Sequence, residues 1–164
     1  FIYLEGTWIE DNEKITVVNV YSPCESALKR TLWEEIRQVR SICSRGLWCI
    51  IGDFNNVRRL SERVGSGQWS QDAGIIKEFN DWIADLEVED VSGIGRKFTW
   101  FRPNGLSKSR LDRALVSTEW TDKWQGTTLA TLDRNFSDHC PILLSADNVD
   151  WGPKPFRVLD CWFG

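Results

Sequence analysis

A layered α/β sandwich, two mainly antiparallel sheets flanked by helices, is the fold class this chain predicts, and three observations predict it. Strand-like runs outnumber helical ones. The two helical stretches are interspersed among the strands rather than alternating strictly with them. Apolar side chains and rings are spread along the whole chain: 41% of its 164 residues are apolar, with ten Trp, eight Phe and two Tyr. That is enough to bury the core of one domain and too much for a disordered chain.

The elements follow in order. Phe1 to Ile9 and Ile15 to Tyr21 read as a hairpin around the polar stretch Glu10-Asp11-Asn12-Glu13-Lys14, and Ser22-Pro23 closes its second strand. From Glu25 to Ser44, Leu28, Leu32, Ile36, Val39, Ile42 and Cys43 recur at three- and four-residue steps, the period of a helix with one buried stripe. Leu47-Trp48-Cys49-Ile50-Ile51 is a short apolar run that predicts a strand covered on both faces. A loop rich in Arg, Ser and Gly spans Asn56 to Gly67. A second helix fits Ala73 to Leu86, with Ile75, Ile76, Phe79, Trp82, Ile83 and Leu86 on one face and Asp72 as its cap. Lys97 to Arg102, Arg110 to Val116, Thr127 to Leu132 and Cys140 to Ala146 are strand-like, with Gly, Pro and Asn at most of the breaks.

Composition excludes several classes. No stretch reaches the ~18 to 20 apolar residues that span a bilayer, and no charged-then-apolar signal opens the chain, so a soluble intracellular protein, nuclear or cytoplasmic, without a membrane partner is expected. Cys24, Cys43, Cys49, Cys140 and Cys161 are odd in number and lack zinc-ligand spacing, which predicts reduced thiols packed as small hydrophobes. Asn135-Phe136-Ser137 matches a glycosylation acceptor, which without a secretory signal is a coincidence. The chain has no Met and opens in the apolar run Phe1-Ile2-Tyr3-Leu4; it is read as a fragment beginning inside a structural element, the alternative being a processed terminus. Net charge is −4, so phosphate binding must be local. Local clusters exist at Arg58, Arg59 and Arg63, at Arg96, Lys97 and Arg102, and at Lys108, Arg110 and Arg113; each taken alone reads equally as solvated surface.

Three motifs could carry chemistry. Gly52-Asp53-Phe54-Asn55 leaves a buried strand with an acid and an amide at its exit, where they can line a cleft; alone it is equally an Asx-rich turn. The chain's one His, His139, follows Asp138 at the entrance to the last strand, and a lone His is more often structural than catalytic. Ser109-Arg110-Leu111-Asp112-Arg113 places Asp112 on the strand face opposite Leu111, where a neighbouring Arg would satisfy it without any chemistry.

The order Gly-Asp-x-Asn, Arg-Leu-Asp, Ser-Asp-His-x-Pro-Ile resembles the endonuclease/exonuclease/phosphatase superfamily, which includes the apurinic endonucleases. The match extends to Val18-Asn19-Val20-Tyr21-Ser22-Pro23, where the family often has a strand ending in a functional Tyr, and it covers nearly the whole chain. Pro155 to Phe163, the stretch Gly95-Arg96-Lys97-Phe98-Thr99-Trp100 and the dense Trp content are similar to plant non-LTR, LINE-type retrotransposon polyproteins, in which such a segment follows the endonuclease. The resemblance implies the C-terminal two-thirds of an endonuclease/exonuclease/phosphatase domain over residues 1–147 and a tail like the retroelement post-endonuclease linker over 148–164.

It also implies roles. Asp53 would align or deprotonate a water, Asn55 would hold that water or the phosphate, His139 would donate to a phosphate oxygen, and Asp112 would fix the imidazole tautomer. Tyr21 would contact the phosphate. Asp138 and Asp53 would lie beside a Mg²⁺, with Mn²⁺ as the alternative, and no other cofactor is expected. DNA is the implied partner, with Arg58, Arg59 and Arg110 as its contacts. The family's early Asn and Glu strands have no counterpart here, so impaired or absent activity of this chain alone is expected. A catalytically silent remnant that binds nucleic acid or protein, or a phosphatase of the same superfamily acting on lipid or inositol phosphates, are the competing expectations.

Overall fold

The computed structural model describes residues 1–43, 45–65 and 72–146. The expected cap at the Asp72 side chain, the end of the Arg-, Ser- and Gly-rich loop, and the tail over 148–164 lie outside the described residues.

The hairpin forms as strands β1 (Ile2–Trp8) and β2 (Glu13–Tyr21), paired antiparallel from Ile2 opposite Asn19 to Trp8 opposite Glu13. Asn12 takes a positive φ of 58° in the turn, a conformation Asn tolerates better than most side chains. Helix α1 (Ser26–Ile42) then carries the chain back to β3 (Leu47–Asp53), which lies parallel to β2. A 3-10 turn (Leu60–Glu62) leads to the two-residue strand β4 (Arg63–Val64). Helix α2 (Asp72–Asp85), β5 (Val88–Asp90), β6 (Gly93–Gly95), β7 (Trp100–Phe101), β8 (Lys108–Ser109) and β9 (Asp112–Ser117) follow. The short helix α3 (Thr118–Lys123) is capped by Ser117, whose side chain accepts from the Trp120 amide, and β10 (Thr128–Thr131) and β11 (Ile142–Ser145) end the described chain.

The sandwich is there, with more sheet pieces than expected. The main sheet has the order β1-β2-β3-β9-β5, and two three-stranded sheets, β11-β10-β6 and β4-β8-β7, accompany it. Most pairs are antiparallel; β2–β3 and β10–β6 are parallel. The extra strands are two or three residues long, too short for an alternation of polarity to register. Among the described residues no helix is long and apolar enough to cross a membrane.

Both faces of β3 are covered, as its unbroken apolar run requires. Trp48 and Ile50 join Val18, Val20, Leu32, Trp33, Ile36, Phe79, Trp82 and Leu115 in a core under α1 and α2. Leu47 and Cys49 face the other way, with Ala114, Val116, Trp120, Trp124 and Leu129, under α3 and β10. The indole of Trp82 donates to the Trp33 carbonyl at 2.9 Å, so its burial leaves no orphan donor. A fully buried ring such as Phe79 contributes about 1.5–3 kcal/mol. The buried stripe of α1 is rotated from the expected one: Leu32, Trp33 and Ile36 are inside with Lys29, while Leu28 and Ile42 are exposed.

Candidate active site

Side chains alternate along a strand, so the packing of β3 fixes where its last residue points. Asp53 shares the parity of Leu47 and Cys49 and stands on their face, at the strand's end. Asp112 opens β9 directly opposite Asp53 and shares the parity of Ala114 and Val116. Tyr21 ends β2 in register with Asp53, on the parity of Val17. One row across three adjacent strands therefore carries Tyr21, Asp53 and Asp112 on one face. Asp53 and Asp112 are buried, and Tyr21 is exposed.

Gly52 makes this row possible. Its φ is +139°, and a Cβ there would overlap the Val20 carbonyl oxygen of the neighbouring strand. Gly52→Ala is expected to cost about 1–3 kcal/mol of stability, read as a lower urea midpoint, because either the backbone or the β2–β3 pairing must yield.

His139 reaches the row from the far end of the chain. Its Nδ1 lies 2.9 Å from Asp112 Oδ2, and its Nε2 lies 3.9 Å from Asp53 Oδ2. With the Nδ1 proton donated to Asp112, Nε2 faces Asp53 and the space beside it. Thr99 stitches these segments together. Its hydroxyl oxygen accepts from the Leu111 and Asp112 amides at 2.9 and 3.0 Å, and its carbonyl accepts from the Cys140 amide at 2.6 Å. A single β-bridge between Trp100 and His139 adds to this seam.

Burial pushes the Asp53 carboxyl above the ordinary carboxylate range, and the charge of Asp112 pushes the same way; the Asn55 amide, His139 and Lys29 pull against them. The Asn55 N–H donates to Asp53 Oδ1 at 2.8 Å, from a residue held at a positive φ of 47°. The Asn55 side-chain amide donates to the Ser22 carbonyl at 2.6 Å, and the Lys29 ammonium donates to the Asn55 carbonyl at 2.6 Å. Asn55 thus ties the end of β3 to the end of β2.

Ligand atoms of Asp53, Asp112 and His139 lie within 4.8 Å of one another, the group of potential metal ligands found among the described residues. Two hard carboxylates, one of them raised by burial and by the charge of the other, suit a hard divalent cation. Asp53 is in this group. Asp138 is not: it is exposed, its Oδ2 accepts from the Trp100 indole at 2.9 Å, and its carbonyl accepts from the Phe101 amide.

The three candidate DNA-contacting arginines separate. Arg110 donates to Asp90 at 2.9 Å, and Arg58 bonds Asn80 at 2.8 Å and lies 3.4 Å from Asp90, so carboxylates and amides inside the fold occupy both. Arg59 is exposed. The organising cation is Arg113, 0% exposed, bound to Glu62 and, at 2.7 Å, to Asp90. It stands on the opposite face from Asp112, so Asp112 is satisfied by His139 and not by an Arg neighbour.

Sequence reasoning missed Lys29, Thr99, Glu62 and Asp90. Lys29 left a signal, a cation lying three and four residues before Leu32 and Trp33 on the helix's buried stripe. Thr99 left none, since its role depends on strands brought together from either side.

Residues 3–139 match the model of the Endonuclease/Exonuclease/phosphatase family, and the chain belongs to that family. Curated protein sequences returned no match. Among solved structures, the chain is similar to a 3'-5' exonuclease from Neisseria meningitidis, with a TM-score of 0.64 and 17% identity over 87% of this chain and 70% of that one. It is also similar to Staphylococcus aureus beta toxin, with a TM-score of 0.61 and 18% identity over 88% of this chain and 57% of the other. A third similar structure is the endonuclease domain of TRAS1, a telomere-specific non-LTR retrotransposon, with a TM-score of 0.55 and 17% identity over 80% and 56%. At these identities the likeness is one of fold. The chain spans little more than half of the beta toxin and TRAS1 chains.

Proposed function

We propose that this chain carries the site of a metal-dependent phosphodiester hydrolase, a DNA endonuclease of the kind found in non-LTR retroelements. The observation that carries the reading is the arrangement of Asp53, Asp112 and His139 at strand ends, within a chain of the endonuclease/exonuclease/phosphatase family. The retroelement part rests on the Gly95 to Trp100 stretch and the segment Pro155 to Phe163, and has support from the fold likeness to TRAS1.

Hydrolysis needs an aligned water, a group that takes its proton, and positive charge around the phosphorus. Asp53, whose raised pKa makes it a better proton acceptor than an ordinary carboxylate, orients and deprotonates the water. Asn55 holds the Asp53 loop in place. Asp112 accepts from His139 Nδ1, which fixes the ring and aims Nε2 at a phosphate oxygen. Tyr21 offers its hydroxyl to the same phosphate from the end of the row, and Arg59 is the surface contact for DNA. A Mg²⁺ or Mn²⁺ held by Asp53, with Asp138 near it, would supply Lewis-acid stabilisation of the charge that grows on the phosphate oxygens.

The test is nicking of supercoiled plasmid in Mg²⁺ and in EDTA, by this chain and by a version extended at its N-terminus. His139→Gln is expected to slow Mg²⁺-dependent nicking by about 10²-fold. Well-folded proteins of both lengths that leave the plasmid intact would remove the hydrolase reading and favour a binding remnant.

A further inference from the structure

A cleft lies against the catalytic row, and it extends the single surface contact given to Arg59. It runs between the 3-10 turn and the β6–β10 edge, with a volume of about 340 Å³ and Asp112 in its wall. Arg59 flanks it from the turn, and Arg96 and Lys97 flank it from the segment after β6. Gly93 and Gly95 leave that wall without side chains, so a ligand can approach the backbone there.

The charges in this cleft are unevenly matched. Its carboxylates are already answered: Glu62 by Arg113, and Asp112 by His139. Arg110 is answered by Asp90. Among the described residues, neither Arg59 nor Lys97 meets a carboxylate within ion-pair distance; Lys97 lies 5.4 Å from the centroid of the Phe98 ring. Arg96 bonds Asp133 at 2.6 Å in an exposed pair, the kind that salt and a competing anion loosen. A local excess of positive charge thus borders the acidic row of a chain whose net charge is −4.

We propose that this cleft is a subsite for a backbone phosphate next to the scissile one, with Arg59 and Lys97 as its principal contacts and Arg96 as a third. The ligand class is a polynucleotide, a phosphodiester that repeats the anionic group along a chain, which a lone phosphodiester headgroup does not. A lipid surface fits less well, because the cleft is concave and the one large apolar residue lining it, Leu129, is buried. The inference rests on the hydrolase reading for the identity of the scissile phosphate, but its test does not depend on turnover.

The experiment is fluorescence anisotropy of a labelled DNA oligonucleotide in EDTA across a KCl series. It compares the wild-type chain, the double variant Arg59→Gln/Lys97→Gln, and the charge-loss control Lys77→Gln on α2. Each phosphate contact contributes roughly 0.7 to 0.9 to the slope of log affinity against log salt, so the double variant is expected to lose about 1.5 and the control nothing. All the substitutions are on exposed side chains, and matched circular-dichroism melts establish that each variant is folded. Equal slopes in wild type and double variant, or no binding by the wild type, would overturn the subsite. Loss of binding to phosphatidylserine vesicles rather than to DNA would overturn it in favour of a lipid surface. A slope loss without plasmid nicking at any stage would keep the subsite and sink the hydrolase reading; nicking with unchanged slopes would do the reverse.

Discussion

Asp53→Asn is expected to lower Mg²⁺-dependent phosphodiester hydrolysis by about 10³ to 10⁴-fold while making the fold more stable at neutral pH. The amide keeps the shape of the carboxylate and can still accept the Asn55 N–H, but it cannot take a proton from water. It also removes a buried charge that faces Asp112 across the sheet. The direction with pH follows from linkage. Burial raises the folded pKa of Asp53 above its ordinary 3.8, so the folded state holds the proton more tightly, and stability falls as pH rises from 3.8 through the folded value. The amide of the variant does not titrate and carries no such dependence. The variant's advantage in thermal midpoint should therefore be full at neutral pH and vanish below about pH 3.8, where both chains are neutral at this position. Melts across that range together with nicking rates check the pair of effects; an active variant, or one less stable at neutral pH, would contradict the role given to Asp53.

Arg113→Ala is expected to be the most destabilising single change near the site, about 3–5 kcal/mol in urea denaturation. The guanidinium is fully buried between Glu62 and Asp90, and its loss strands those carboxylates in the interior. Arg58 and Arg110 still reach Asp90, at 3.4 and 2.9 Å, so the deficit falls mainly on Glu62. Burial alone would raise the Glu62 pKa, but the hydrogen bond and charge of Arg113, aided by the Arg58 amide and Arg110, outweigh it and hold the carboxyl below its ordinary 4.5. A depressed folded pKa contributes stability that is present above 4.5 and lost as pH falls. The gap between wild type and variant should thus be widest at neutral pH and narrow in acid. Adding Glu62→Gln to Arg113→Met should recover much of the loss, since replacing partners together leaves no uncompensated charge; a double variant no more stable than Arg113→Met would show the network to be worth little.

The legible part of the fold was its longer elements. Both hairpin strands, β3 and the two main helices leave signals of five residues or more, β-rich runs around a polar loop, an unbroken apolar run and a 3.6-residue period, and the elements stand where those signals place them. What escaped was either too short to have a period, like Gly93–Gly95, or decided by tertiary packing. The rotation of α1 is an example: Trp33 and Lys29 are inside because the Phe79–Trp82 stack and the Asn55 carbonyl lie opposite them, and neither partner is local. For the site, the motifs pointed to Asp53, Asp112 and His139, and the structure brings these three together. Asp138 reads the same in sequence as a ligand or as a surface carboxylate, and its partner, the Trp100 indole, lies 38 residues away where sequence cannot show it. The arginine clusters could not be told apart in sequence, which shows where cations are, not which carboxylates face them. Glu62 and Asp90, 28 residues apart, take up Arg113, with Arg110 and Arg58 beside it.

The Thr99 seam also orders events in time. Asp53 leaves the ribosome long before His139, 86 residues later, and at ordinary rates of synthesis the gap is roughly 4 to 17 s. Within that interval α2 is completed at Asp85, joining α1 and the β2–β3 pair, and Asp112 follows without the imidazole that completes it. The Cys140 amide that closes the seam onto Thr99 arrives one residue after the ring it positions. A nascent chain therefore carries its carboxylates as an incomplete set until His139 is made, and the constellation closes only once nearly all of the described chain is present.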